Sequence, residues 1–292
     1  MRIAIFGRAL SKDNTTYLFR LLDELHREGV GLSVYAPFMK SVEEALPGGC
    51  RVDGFSNQEE LAASADMMLS IGGDGTILDA VPLLGDSGIP VLGINMGRLG
   101  FISSVAKDEI DKAVADILQG RYSTECRSLI ELVSPQGVFD QVNYALNEIN
   151  IIRNPEHSLL AVKVYVNDVF LNTYWGDGIL MATPTGSTAY SLSAGGPIIT
   201  PDSHNFVITP IAAHNLTVRP IVIPDDSVVR IQVEGREKRF VFSMDSRVCA
   251  LDTSVELVVR KADFHIRTVR MEGTDFFSTI RNKLMWGKDN RN

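Results

Sequence analysis

Asp66-Met67-Met68-Leu69-Ser70-Ile71-Gly72-Gly73-Asp74-Gly75-Thr76-Ile77-Leu78 passes from a compact apolar run, through a glycine-rich turn, directly into a helical period. A strand that hands over to a helix through so short a loop is the first half of a βα unit. After the turn, Ile77, Leu78, Val81 and Leu84 recur at helical spacing, and Pro82 is expected to shorten that helix. Working outward, Ile3–Gly7 reads as the first strand. Leu18, Leu21, Leu22 and Leu25 then mark the apolar face of a helix ended by Gly29, and Leu32–Ala36 returns as a strand. Pro90–Asn95 is another buried-type strand. Asp108–Gln119 reads as a helix with Ile110, Val114, Ile117 and Leu118 inward and Gly120 as its C-cap. Residues 1–122 therefore predict an α/β domain with a parallel sheet.

After Gly120 the pattern changes to β-rich runs: Leu129–Val133, Val142–Arg153, Leu160–Val166, Val169–Trp175, Val228–Val233, Phe240–Met244, Val255–Arg260 and Phe264–Val269. These predict a mostly antiparallel β domain over residues 123–270, with Asn167-Asp168 as a tight hairpin turn. In the last part, 271–292, Thr274–Trp286 carries Phe276, Phe277, Ile280 and Leu284 on one helical face. A C-terminal helix packing back on the body, and returning to the N-terminal domain, is expected.

The bulk numbers narrow the function classes. At 292 residues the chain exceeds the usual single core of about 100–200 residues. With 28 basic against 36 acidic side chains, a net charge of −8, it lacks the basic surplus of a nucleic-acid-binding protein; a nucleotide-sized ligand remains compatible. Cys50, Cys126 and Cys249 are far apart and include no C-x-x-C pair, so neither a disulfide framework nor a zinc site is signalled. The sequence opens straight into a strand and has no apolar stretch of about 18 residues, so a cytoplasmic protein without membrane attachment is expected.

Three segments carry chemistry. In the first, glycines around Asp74 let backbone N–H groups turn toward a phosphate at a helix N-terminus. A carboxylate there would repel phosphates unless it took a proton or a metal, so Asp74 suggests work on a hydroxyl or on Mg²⁺. Read alone, the same residues make an ordinary turn. In the second, Asn147 and Glu148 are adjacent polar residues inside the apolar run Tyr144–Ile152, so on opposite strand faces one of them meets a core or a seam. A ligand rich in donors would satisfy them, and a solvated edge strand reads the segment equally well. The third, Gly176-Asp177-Gly178 through Thr183-Pro184-Thr185-Gly186-Ser187-Thr188-Ala189-Tyr190-Ser191-Leu192-Ser193-Ala194-Gly195-Gly196-Pro197, clusters glycines and hydroxyls where a strand gives way to a turn and a short helix. Local capping bonds would explain Ser187 and Thr188, but not so many consecutive small polar residues.

Together and in this order, GGDGT, LNEI and GDGILMATPTGSTAYSLSAGGP resemble the NAD kinase family, with the resemblance reaching from about Ile3 through Asp245. It implies an enzyme that moves a phosphoryl group from ATP, with Mg²⁺ or another divalent cation, to the 2′-hydroxyl of the adenosine ribose of NAD. On it, Asp74 is the catalytic base with Gly75 beside it in the phosphate loop. Phe101, in Gly97-Arg98-Leu99-Gly100-Phe101, lies near the adenine or serves as a core aromatic. Asn147, Glu148, Asp177, Thr185, Thr188, Ala189, Tyr190, Ser191, Leu192 and Ser193 bind NAD. Ser243-Met244-Asp245-Ser246-Arg247 resembles a segment near the site, and a homo-oligomer, dimer or tetramer, is implied. GGDGT alone would equally suit a diacylglycerol-type lipid kinase, but an acidic chain without a basic amphipathic helix offers little to a membrane. A non-catalytic NAD sensor would keep the pocket without the chemistry, and the intact Asp74 weighs against it.

Overall fold

The structure, a computed structural model, describes residues 1–97, 100–154, 159–235 and 238–286. Two compact units form: Met1–Cys126 together with Ile266–Asn292, and Arg127–His265.

In the first unit the strands Val52–Phe55, Gly31–Tyr35, Arg2–Gly7, Met67–Ile71, Val91–Asn95 and Ile266–Met271 lie side by side in that order, with Tyr122–Arg127 at the far edge. The pairs from Val52–Phe55 through Ile266–Met271 are parallel. Met67–Ile71 and Val91–Asn95 are buried along their whole length, the continuous burial that a sheet covered on both faces demands. Leu18, Leu21, Leu22 and Leu25 are fully buried on it, with Ile110, Val114 and Ile117 from the helix Ile110–Leu118. Chain order reverses between Arg2–Gly7 and Met67–Ile71. In doubly wound sheets, ligands bind beyond the carboxyl ends of the two strands flanking such a switch point, here Gly7 and the Gly72–Thr76 loop.

Pro82 does not shorten the helix, which runs from Asp74 to Leu84. A proline in the last turn forfeits one i→i−4 bond, and the helix closes anyway on Gly85, whose φ is +46°. The last strand, read from sequence as part of the β-rich region, instead joins the parallel sheet, Thr268 pairing with Val91. The C-terminal helix spans Phe276–Leu284, capped by Asp275 through a 2.8 Å bond from the Ser278 N–H. Of its expected apolar face Ile280 is buried, whereas Phe277 is 59% exposed.

The second unit holds, among the described residues, two antiparallel six-stranded sheets. One orders Ile221–Pro224, Asn205–Ile211, Gly178–Ala182, Glu148–Ile152, Arg239–Met244 and Arg247–Asp252. The other orders Val169–Gly176, Leu160–Val166, Val229–Glu234, Leu257–Lys261, Ile130–Ser134 and Tyr144–Ala145. Their inner faces meet in one core, with Ile149, Ile151, Met181 and Phe242 from the first and Val162, Val164, Ile231 and Leu257 from the second. Asn167 and Asp168 both take positive φ, 49° and 63°, forming the hairpin turn their sequence predicts. The expected continuous strand Val142–Arg153 is broken at Leu146-Asn147, for a reason that belongs to the site.

Candidate functional site

Asp74 opens its helix at the carboxyl end of Met67–Ile71, and its carboxylate is held by the segment that follows Val91–Asn95. Oδ2 accepts from the Phe101 N–H at 2.7 Å; Oδ1 accepts from the N–H groups of Ile102 and Ser103 at 3.1 and 2.8 Å and from the Ser103 hydroxyl at 2.8 Å. Three successive N–H groups converging on one anion form a nest. Behind it, Asn95 Nδ2 donates to the same hydroxyl at 3.0 Å, so a buried amide orients the serine that orients the acid. Two glycines permit this approach. A Cβ at Gly93 would stand 2.6 Å from Ser103 Cα, and one at Gly100 would overlap the Asp74 carboxylate. Gly73 and Gly75 differ: a Cβ there would meet nothing within 4 Å, leaving open space at the helix N-terminus where a phosphate can approach the backbone. The half-buried Phe101 ring carries Lys283 Nζ of the C-terminal helix 4.3 Å from its centroid, so it is neither a pure core aromatic nor a free platform. Arg98 and Leu99 of the same stretch lie outside the described residues.

Asn147 and Glu148 stand in the second unit where the strand breaks. The N–H groups of Leu146, Asn147 and Glu148 all donate to the Asp245 carboxylate, at 2.8, 2.8 and 3.2 Å. The carbonyls turn elsewhere: Leu146 accepts from the Thr183 hydroxyl at 2.6 Å, Asn147 from the Thr183 N–H at 2.9 Å, Glu148 from the Asp245 N–H at 3.0 Å. Every backbone polar group of the three residues is therefore paired, and none is available to continue the ladder at Leu146-Asn147. The side chains are not so provided. Asn147 is 6% and Glu148 8% exposed, yet Asn147 Oδ1 and Glu148 Oε2 are buried without a hydrogen-bond partner. Burial, with the Asp245 charge adding to it, pushes the Glu148 carboxyl up to about 8.

The third segment divides its hydroxyls. Ser187 Oγ donates to the Pro184 carbonyl at 2.7 Å and accepts from the Ile199 N–H at 2.9 Å; Thr188 Oγ1 donates to the Thr185 carbonyl at 3.1 Å; Ser191 shares a 3.1 Å bond with buried Thr209. These bonds shape the turn 186–188 and the helix Tyr190–Ser193. Thr185 is buried, Ala189 and Leu192 are half-buried, and Tyr190 and Ser193 are exposed. Asp177 is engaged by Arg153, Nε to Oδ1 at 2.6 Å. Sequence reasoning missed Arg153 and Ser103, whose partners Asp177 and Asp74 lie 24 and 29 residues away, and Asn95, which acts through Ser103; Thr183 was read only as part of its segment. Asp245 and Arg247 did carry a mark, their place in Ser243–Arg247.

A carboxylate in an amide nest at a glycine-lined helix N-terminus, on the switch point of a parallel sheet, belongs with nucleotide-dependent phosphotransferases, and the orphaned acceptors of Asn147 and Glu148 suit a ligand rich in hydroxyls and amines. Residues 3–122 match the family model of the ATP-NAD kinase N-terminal domain and 146–271 that of the ATP-NAD kinase C-terminal domain. The chain belongs to the NAD kinase family. It is 39% identical over 295 residues to the NAD kinase of Cytophaga hutchinsonii and 40% identical over 294 to that of Flavobacterium johnsoniae, each alignment covering 100% of both chains. The crystal structure of yeast NADH kinase complexed with NADH is similar with a TM-score of 0.87 at 26% identity, covering 100% of this chain and 89% of that one. The fold is also that of an Archaeoglobus fulgidus NAD kinase in complex with ATP, TM-score 0.74 at 23% identity, covering 98% and 99%.

Proposed function

We infer that this protein is an NAD kinase that phosphorylates the 2′-hydroxyl of the adenosine ribose of NAD from ATP, with Asp74 as general base. One observation carries the role of Asp74: its carboxylate is fixed by four donors, of which Oδ1 takes three and Oδ2 one. Oδ2, with a single donor against three on Oδ1, is the oxygen that can take a substrate hydroxyl without surrendering the bond that orients it. In the step, the 2′-oxygen forms a bond to the γ-phosphorus and the bond to the β,γ-bridging oxygen breaks. ADP leaves with the electron pair, and the hydroxyl proton passes to Asp74. Gly73 and Gly75 leave the helix N-terminus open to the phosphates. Asn147 and Glu148 accept from the donors of NAD, and Asp177, Thr185, Thr188, Ala189, Tyr190, Ser191, Leu192 and Ser193 line its binding segment, with Phe101 beside the adenine.

Among the described residues no group of three or more His, Cys, Asp or Glu side chains could hold a metal ion. The divalent cation enters with the substrate, as MgATP, and no protein ligand to it is named. No helix among them is long and apolar enough to cross a membrane; the protein acts in the cytoplasm on small nucleotides, as a homo-oligomer, dimer or tetramer. The test is incubation with NAD and MgATP, reading NADP with a dehydrogenase strictly dependent on NADP. Wild type should form NADP and Asp74→Asn should retain less than about a tenth of its turnover, since a general base contributes roughly 10²–10⁴-fold. Higher residual activity rejects Asp74 as the base.

A further inference from the structure

The hairpin joining Arg239–Met244 to Arg247–Asp252 turns at Asp245, whose φ of +51° is a left-handed conformation that Asp tolerates better than most residues. That turn aims two charged side chains at one segment. The Asp245 carboxylate takes the three N–H groups of Leu146–Glu148, while the Arg247 guanidinium donates to the carbonyls of Val142 and Tyr144 and lies over the Phe139 ring. Acid to amides and base to carbonyls, the hairpin tip grips residues 142–148 through backbone atoms alone. From the other side, Thr183 holds the carbonyls of Leu146 and Asn147, and a Cβ at Gly186 would overlap that of Asn147. Within the gripped segment, residues 142–148, the side chains of Asn147 and Glu148 retain buried oxygens without partners.

We propose that Asp245 is a positioning residue for the nucleotide: it fixes the backbone of Leu146–Glu148 so that the Asn147 and Glu148 side-chain oxygens stay unpaired for the donors of bound NAD. A protein ligand for the three amides could have been a strand partner, which would have stretched the segment flat and sent the two side chains to opposite faces. A single carboxylate accepting from three successive amides curls the backbone instead. The role is that of an orienter, since Asp245 reaches the ligand only through the pair it holds. The proposal rests on the NAD kinase reading.

The experiment uses the full chain as wild type, Asp245→Asn and Asp245→Ala. Initial rates are taken against NAD at saturating MgATP and against MgATP at saturating NAD, with NAD binding measured by calorimetry without ATP. Asn matches Asp in size but presents one acceptor oxygen and an NH₂ that faces the amide donors. Both variants should raise KM and Kd for NAD by about 10- to 100-fold, the loss expected for charge-assisted hydrogen bonds. KM for MgATP should stay within about threefold of wild type, because the gripped segment serves only the nucleotide acceptor. An NAD affinity that does not change, or KM values for both substrates that rise together, overturns the proposal. If the hairpin variants do not fold, Thr183→Val removes the hydroxyl bond to the Leu146 carbonyl, the side-chain part of the opposite grip, and an unchanged NAD affinity there overturns the proposal. A wild type that binds NAD but forms no NADP defeats the kinase reading, whereas the calorimetric comparison still decides the positioning role.

Discussion

Glu148 allows a prediction whose sign and size follow from its surroundings. The side chain is 8% exposed, one oxygen lacks a partner, and the Asp245 carboxylate is its nearest charged influence. Burial and that neighbour raise its carboxyl from the ordinary 4.5 to about 8. Between those values the folded protein keeps a proton that the unfolded chain has released. Stability therefore falls as pH rises through this window and levels off above about 8. At about 1.36 kcal/mol per unit of difference, the loss between pH 5.5 and pH 8.5 comes to roughly 3 kcal/mol. Glu148→Gln is close to isosteric and cannot ionise, so its stability relative to wild type should improve by that amount over the same interval. The remaining titrating groups are common to both proteins and largely cancel in the difference. Urea unfolding without nucleotide, at both pH values, measures it. Trp286→Phe in both proteins leaves Trp175 as the reporter of the second unit, which avoids treating two units as one transition. A variant-minus-wild-type difference that moves by less than about 1 kcal/mol, or moves the other way, would show the carboxyl already ionised in the neutral range and would refute the argument from burial.

Two further substitutions probe the glycines that set the geometry. Gly100→Ala drives a Cβ into the Asp74 carboxylate, and because misplacing a reacting group by about 1 Å can cost on the order of 10²-fold, kcat should fall about that far while the circular-dichroism spectrum is retained. Activity above half of wild type would mean that the Asp74 nest is not the working arrangement. Gly186→Ala pushes on the Asn147 carbonyl; denaturation should show a loss of about 1–3 kcal/mol from overpacking, and rate measurements an increased KM for NAD, whereas an unchanged KM would separate the turn from the nucleotide site.

How much of this was legible in the sequence depends on the range of the interaction responsible. The helix carrying Leu18, Leu21, Leu22 and Leu25 and the hairpin at Asn167-Asp168 were readable because side-chain period and turn conformation are local properties, decided within a few residues. The strand Ile266–Met271 was readable as a strand but not as a member of the first sheet. An apolar run of that length suits a parallel or an antiparallel neighbour, and its partner at Val91 lies far back along the chain. Asn147 and Glu148 show the same limit more sharply. Their sequence reads as mid-strand alternation, and the alternation fails because Asp245, 98 residues from Asn147, takes the amides that a ladder would have used.

Two carboxylates, Asp74 in the first unit and Asp245 in the second, use one device for different ends. Asp74 and Asp245 each receive three successive backbone N–H groups, from Phe101–Ser103 and from Leu146–Glu148. What separates them is where each stands and what stands behind it. Asp74 begins a helix beside glycines whose missing side chains leave open space, and one of its carboxylate oxygens carries a single donor. Asp245 sits on a hairpin tip, and its own N–H is tied back to the Glu148 carbonyl. Arg247, two residues on, grips the same segment through its carbonyls. On the roles proposed above, the first arrangement holds a carboxylate still for the reaction, and the second holds a backbone still so that two neighbouring side chains can bind. The consequences of substitution should differ accordingly, with Asp74→Asn lowering kcat and Asp245→Asn raising the KM for NAD. If the two variants gave the same kinetic signature, the shared geometry would be structural in both places and neither role would stand.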